Sequence, residues 1–553
     1  NLQKNSLLPL PTVKPFTGRA IPCHNPGNGE LLGEDISATP EEVNDCVHRA
    51  AIAQKDWGRT TFEERSAFLY DLLQVVLDNQ EEICKLSVQD TGKTINEAYY
   101  GEILTTCEKL RHLIVNGKKA LVPESRGVPL MLFVKKARVE YYPFGVIGII
   151  IPWNYPFHNA ISAISSAVFA GNAAVVKVSE WSTFSRARFQ QLFQETLAKR
   201  GYNPDLIQLL PGYGDTGAAL CACPEVSKIL FIGSPETGKR VMATASQNLT
   251  PVILELGGKD PFIILKDAEL DHAIEVALRG VFVNQGQNCI AAERLFVESE
   301  IYEEVCDKVA SVANKFRIGC PPCSIVVEDA STVVDCGAMT MPSQVKKVDA
   351  LVQDAVAKGA VVLAGGKPME CNNEHQLLYP PTILTNLNKS MKIVNEETFG
   401  PVMLIMKFSS DEEVIEMAND SEFGLGCSIF SKNYKRAEAI GREIESGMCT
   451  INDFGVSYLI QNLPFGGVKH SGFGRFNGVE GLREFSRQKT VVTDRFPLRA
   501  KAPRFTSYPV PTKAPIALSN AVTMIYSGSL ATKARCAFNF VKVAMSMDEP
   551  KVQ

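Results

Sequence analysis

From Arg138 onward the chain repeats one cycle: a short apolar run that stops at Gly, Pro or Ser, then an amphipathic stretch, then another apolar run. The runs are GVIGIIIPW (145–153), NAAVVKVSE (172–180), DLIQLLPGYG (205–214), SKILFIGS (227–234) and PVILELGGKDPFIIL (251–265). Apolar runs of this length read as strands buried on both faces, because a strand with one wet face would alternate polar and apolar residues. Strands separated by helical stretches predict a parallel sheet with helices on both sides. Gly145–Ile151 is too short to cross a bilayer, which needs about 20 residues, and Pro152 ends it as a buried strand.

The flanks read differently. Residues 1–35 are rich in Pro and Gly and predict irregular structure with short strands. Thr39-Pro40-Glu41-Glu42 predicts a helix start, with a capping Thr, Pro in the first turn and Glu three residues after the cap. Helical patterns continue to about Lys119. A second α/β run covers 258–467. Residues 501–553 hold seven Lys/Arg and two Asp/Glu, a net of +5, against −9 for the rest of the chain. Pro503, Pro509, Pro511 and Pro515 are followed there by two weakly amphipathic stretches. The tail reads either as a solvated extension packing on a neighbour or as a surface for a membrane or partner.

Bulk composition excludes some classes. A net charge of −4 with 21% charged residues gives no basic surface for nucleic acid. Fifteen cysteines spread over 553 residues are no disulfide framework and read as reduced thiols. The seven histidines show no i, i+4 pairing, so no metal site is expected. Cys320-Pro-Pro-Cys323 has no second pair and reads as a loop. Asp90–Thr94 (DTGKT) ends like a phosphate loop, but Ser87 stands where its first Gly belongs. No G-x-S-x-G appears, so a serine hydrolase has no support.

Chemistry-bearing residues gather at strand ends, where ligands bind in open α/β sheets. Cys289, in NQGQNC, has flexible Gly286 and polar amides beside it, which suits a reactive thiol; alternatively it is one more inert cysteine. Glu255, in LELGGK, is either a poised general base or a turn residue. Asn154, after Pro152-Trp153, can donate to an oxyanion or simply form a turn. Lys177 and Glu180, in KVSE, can hold a ribose or form a surface ion pair. Gly233-Ser234 to Gly238 opens a helix whose N–H groups can meet a pyrophosphate, although the G-x-G-x-x-G spacing is absent.

Together PWNYPF (152–157), KVSE (177–180), FIGSPETG (231–238), ELGGKD (255–260), GQNC (286–289), EETFGP (396–401) and LPFGGVKHSGFGR (463–475) closely resemble the aldehyde dehydrogenase superfamily, over roughly 20–495. DTGKT…GEILTTCEK (90–94 and 101–109), PWNYPFHN and GFGRFNGVEGLREF (472–485), with the extra tail, look most like the plant family-22 enzymes and their fungal relatives. Those relatives carry an N-terminal hydrophobic segment that is not in this chain. The segment 319–339 (GCPPCSIVVEDASTVVDCGAM) departs from the superfamily pattern.

The resemblance implies a Rossmann-like NAD(P)-binding domain (20–120 and 144–257), an α/β catalytic domain (258–467), a small β oligomerisation arm (121–143 and 485–500) and a basic extension (501–553). It implies oxidation of an aldehyde to an acid, with Cys289 as nucleophile, Glu255 as general base and Asn154 in the oxyanion hole. Cofactor contacts are implied for Trp153, Lys177, Glu180, Gly233, Ser234, Gly238, Glu397 and Phe399. NAD is expected over NADP, because the Glu180 carboxylate would repel a 2′-phosphate. Acyl transfer to CoA is disfavoured, since relatives that do it usually lack the Glu at position 255. Phe157, Phe282, Phe454 and Tyr155 are expected to line an apolar entrance, or in part to be core. A homo-dimer or homo-tetramer is expected, in the cytoplasm or facing it from an internal membrane such as the endoplasmic reticulum, held there through the tail or a missing N-terminal segment.

Overall fold

The structure is a computed structural model that describes residues 15–324, 332–371, 373–499 and 502–547. The ends of the Pro/Gly-rich N-terminus and of the basic tail, and 325–331 of the unusual segment, lie outside the described residues. The chain divides into two compact units, one of residues 1–122 and 141–488, the other of 123–140 and 489–553.

The first unit contains the expected parallel sheets. One has the order Gly472–Phe473, Val252–Glu255, Val226–Ile232, Val146–Ile150, Ala173–Lys177, Ile207–Leu210. All neighbours are parallel except the edge strand Gly472–Phe473. Every residue of Val146–Ile150 and Ala173–Lys177 is buried, which is why these runs carry no polar alternation. The chain goes from Val146–Ile150 outward to one side, through 173–177 and 207–210. It then returns to the other side at Val226–Ile232. The carboxyl ends of these two central strands therefore diverge, and a crevice opens between the loops that follow them.

The second sheet, Val361–Ala364, Thr382–Thr385, Val402–Phe408, Arg294–Glu298, Pro261–Ile264, Ser428–Phe430, Thr450–Ile451, is parallel apart from its first strand. Separate apolar cores cover its two faces.

The predicted helix start is present. Thr39 Oγ1 accepts from Glu42 N at 3.3 Å and Glu42 Oε2 accepts from Thr39 N at 2.8 Å, opening Pro40–Trp57. Two of the aromatics expected at an entrance are core residues instead. Phe157 is fully buried against Phe189 and Phe193, and Phe282 packs edge-on to Phe316. Both sit on helical faces turned into the sheet packing, where burial stabilises a Phe by about 1.5–3 kcal/mol.

The second unit is built on a three-stranded sheet of order Ser486–Asp494, Lys135–Pro143, Glu124–Arg126. It also holds a helical hairpin, Ala514–Tyr526 and Leu530–Met545, in the stretch read as weakly amphipathic. Ser529 caps the second helix by accepting from Thr532 N, and Lys513 Nζ donates to Ser546 O at 3.0 Å. Among the described residues no helix is long and apolar enough to cross a membrane.

Candidate active site

A cavity of about 560 Å³ opens at the carboxyl ends of three strands of the first sheet. Val146–Ile150 delivers Trp153 and Asn154, Val226–Ile232 delivers Gly233 and Ser234, and Val252–Glu255 ends on Glu255 itself. From the second α/β region come Cys289, Glu397 and Phe399. Residues far apart in sequence meet because strand ends in a parallel sheet all point the same way.

Cys289 sits at the end of a tightly wound loop. Asn284, Gln285 and Gly286 all have positive φ (53°, 58° and 68°), a conformation that costs non-glycine residues energy unless the surroundings enforce it. They do enforce it. Asn284 N donates to Glu97 Oε1 at 2.7 Å, Gln287 Nε2 donates to Asn284 O at 3.1 Å, and Gln287 Oε1 accepts from Thr340 N at 2.9 Å. At Gly286 a Cβ would come within 2.1 Å of Gly400 O, so only glycine fits.

The Cys289 thiol faces the Glu255 carboxyl, and each affects the other's ionisation. Burial pushes Glu255 up to about 7, the nearby thiol pulling slightly the other way. Burial, and then the Glu255 charge, push Cys289 well above the usual thiol range. The resting pair is thus a thiol beside a carboxyl poised near neutrality, not a preformed thiolate. Glu255 Oε1 is buried and has no partner within the protein.

Asn154, only 4% exposed, is held from several directions. Its Nδ2 donates to Gln287 O at 3.1 Å, and its Oδ1 accepts from Asn159 Nδ2 at 3.2 Å. An amide nitrogen carries two hydrogens, so this arrangement commits one and orients the other. The Asn154 backbone carbonyl accepts from Lys93 Nζ at 2.7 Å and from Asn284 Nδ2 at 3.0 Å, which ties it to the cysteine loop.

Lys93, in DTGKT, carries no sequence signal of a role at the site. It is fully buried, pairs with Glu102 Oε1 at 2.7 Å and lies 4.2 Å over the Tyr155 ring. Glu102 Oε2 accepts from His158 N at 2.8 Å. The next residue, Thr94, caps Ile95–Ala98 with Glu97, whose other oxygen holds Asn284. The segment is a brace between the Asn154 turn and the Cys289 loop. Its only sequence signal is the capping pattern T-x-x-E at Thr94–Glu97, which says nothing about where the helix packs.

Glu397 Oε1 accepts from Gly258 N at 3.1 Å, and burial, with Glu293 adding to it, raises this carboxyl to about 8. A Cβ on Gly257 would meet the Glu397 carboxyl at 2.3 Å. Phe399, itself at φ 50°, packs edge-on to Trp153 with ring centroids 5.6 Å apart. Buried Glu293 accepts from Thr398 N and Phe399 N, both at 2.8 Å, and pairs with Lys259 at 2.6 Å, so this ion pair fixes the Phe399 turn.

Of the remaining sequence candidates, Lys177, Glu180 and Gly238 stand off the cavity wall, while Ser234 lines it. Lys177, buried, pairs with Glu180 at 3.2 Å at the end of the adjoining strand. Gly238 lies inside the helix Pro235–Ala245, where a Cβ would press on Leu256 at 2.9 Å, so it serves helix–strand packing. Ser234 caps that helix, accepting from Thr237 N. Tyr155 and Phe454 do line the cavity, and Tyr100, Tyr458, Leu459, Phe465 and Phe476 join them. Tyr458 Oη lies 2.6 Å from His158 Nε2, and burial holds that imidazole neutral, its pKa pushed down to about 3. The wall is mainly apolar, and its ionisable lining residues include Glu255 and Glu397, whose charges act on the thiol, and Glu97, Arg279 and Lys347.

Residues 13–491 match the model of the aldehyde dehydrogenase family. The chain is 37% identical over 501 residues to an aldehyde dehydrogenase-like protein of Schizosaccharomyces pombe, covering 89% of this chain and 93% of that one. It is 33% identical over 490 residues to a chloroplastic betaine aldehyde dehydrogenase of Beta vulgaris, covering 87% and 94%. Among solved structures, the NAD+ complex of an aldehyde dehydrogenase from Bacillus cereus superposes with a TM-score of 0.79 at 30% identity, covering 86% of this chain and 93% of that one.

Proposed function

Because the chain belongs to the aldehyde dehydrogenase family, we propose that it oxidises an uncharged, largely apolar aldehyde to the carboxylic acid with NAD, through a thioester on Cys289 that Glu255 helps to hydrolyse. The observation that carries the reading is the buried Glu255 carboxyl facing the Cys289 thiol beside the oriented Asn154 amide.

Attack begins with transfer of the thiol proton to Glu255, since burial keeps the thiol protonated at rest. The sulfur–carbon bond forms and the carbonyl π electrons move to oxygen. The second Asn154 amide hydrogen and the Cys289 backbone N–H meet that oxyanion. With its carbonyl restored, the carbon is a thioester. Glu255, its proton released, takes a proton from water as the hydroxyl adds. The carbon–sulfur bond then breaks, Cys289 recovers a proton, and the acid departs.

The residues fit a nicotinamide dinucleotide. The crevice lies where the strand order reverses, and Ser234 opens a helix whose positive N-terminal dipole suits a pyrophosphate. Gly233 and Gly238 keep that turn and helix close to the sheet. Lys177 and Glu180 would hold the adenosine ribose, Glu397 the nicotinamide ribose, and Phe399 with Trp153 the nicotinamide face. When bound, the nicotinamide accepts the hydride that leaves the aldehyde carbon. The Glu180 carboxylate disfavours a 2′-phosphate, so NAD is preferred over NADP. The 121–143 and 485–500 segments are read as an arm joining subunits of a homo-oligomer.

The test is NADH formation on mixing the purified protein with NAD and a panel of aliphatic, aromatic and charged aldehydes. We expect turnover that disappears in Cys289→Ser. Unchanged turnover in that variant would overturn the assignment, and formation of acyl-CoA in place of acid on adding CoA would redirect it.

A further inference from the structure

We propose that the C-terminal helical hairpin, Ala514–Tyr526 and Leu530–Met545, is an interfacial module that lies flat on an anionic lipid surface. The inference is independent of the reaction at Cys289. The hairpin belongs to the second unit and lies beyond residue 491, where the family match ends.

The distribution of side chains on each helix carries the argument. On Leu530–Met545 the large exposed apolar residues are Leu530, Phe538, Val541 and Met545. At about 100° per residue these four fall within an arc of roughly 80°. Arg535 and Lys542 border this stripe on one side and Lys533 on the other. Cys536 points away from it and is buried. On Ala514–Tyr526 the large exposed apolar residues are Ile516, Leu518, Val522 and Tyr526; the last three are spaced i, i+4, i+8 along one face, Ile516 stands about 160° round the helix from Leu518, and Ala514 and Ala517 are buried. Water-facing apolar stripes on both helices of a hairpin are not what a solvated extension needs.

Charge selects the partner. Residues 502–547 contain Arg504, Lys513, Lys533, Arg535 and Lys542 and no Asp or Glu. An apolar stripe with cations along both borders suits a bilayer surface: the stripe enters the acyl boundary while the long basic side chains reach the headgroups. Anionic headgroups neutralise those cations. A second copy of the same hairpin would bring like charges together, so hairpin-to-hairpin association is disfavoured. Neither helix is long enough to span the hydrocarbon core, at 13 and 16 residues, so the mode is surface attachment.

The experiment uses the full chain and sedimentation with vesicles of phosphatidylcholine alone or with about a third phosphatidylserine, in low and high salt. We expect co-sedimentation with the anionic vesicles, at least about tenfold weaker with phosphatidylcholine or in high salt. Phe538→Asp/Val541→Asp and, separately, Lys533→Glu/Arg535→Glu/Lys542→Glu should each abolish it, while aldehyde-dependent NADH formation and the melting profile stay unchanged. Absence of binding to anionic vesicles overturns the proposal. So does binding that both variants retain. A concentration-dependent oligomer that the variants dissolve, without vesicle binding, assigns the stripes to a second copy instead.

Discussion

Replacing Glu255 with Gln tests whether one carboxyl serves both halves of the reaction. The substitution keeps the shape of the side chain and removes the base. Burial raises Glu255 to about 7, so the ionised fraction is about a tenth at pH 6 and about nine tenths at pH 8. Because the carboxylate is the active form, the rate should rise with pH, by about tenfold between those values and centred near 7. Removing a general base typically costs about 10²–10⁴ in rate. The sharper readout is the first turnover. The Cys289 thiol is pushed well above its usual range and faces this carboxyl, so Glu255 is its proton acceptor. Rapid mixing with saturating NAD and aldehyde should therefore give no burst of NADH in Glu255→Gln, and the residual steady rate should lose its dependence between pH 6 and 8. A full burst, one NADH per site, followed by slow turnover would refute the shared role, leaving Glu255 to hydrolysis alone. A tenfold pH dependence surviving in the variant would assign the titration near 7 to another group.

Asn154→Ala should lower kcat by about 10²–10³ through loss of an oxyanion donor, with substrate KM little changed; a change confined to KM would remove Asn154 from that role. Lys93→Met should leave Glu102 buried without its partner and cost about 3–5 kcal/mol. Calorimetric melting should show that loss, and Lys93→Met/Glu102→Gln should regain much of it; equal melting of both variants would contradict a coupled buried pair. Gly257→Ala would drive a Cβ to 2.3 Å from the Glu397 carboxyl, so NAD affinity by titration calorimetry should fall while the fold survives. Unaltered affinity would show that Glu397 contributes little to binding.

Much of the site was legible because its residues fall where strands end, and strand ends are marked by composition. Asn154, Gly233, Ser234 and Glu255 each follow an apolar run that Gly, Pro or Ser closes. Phe157 and Phe282 were not separable from Tyr155 and Phe454, because an apolar aromatic looks the same whether its helix turns it to the core or to the cavity. Gly238 belongs to the same motif as Gly233, yet the fold uses it to let the helix approach Leu256. Lys93 stayed hidden for a different reason: a lysine in a turn reads as solvated, and only burial beside Glu102 makes it a brace.

By itself the sequence determined the parallel α/β architecture and the helix starts. Both follow from local rules: the period of apolar residues, the capping pattern at Thr39, and strand ends closed by turn formers. Tertiary structure decided what those residues do to one another. The pKa values of Glu255 and Cys289 depend on the water excluded around them and on their mutual distance. The left-handed turn of 284–286 persists only because Glu97 and Thr340, from elements distant in sequence, hold it. Burial and non-local contact are properties of the packed chain, so no reading of neighbours along the sequence contains them.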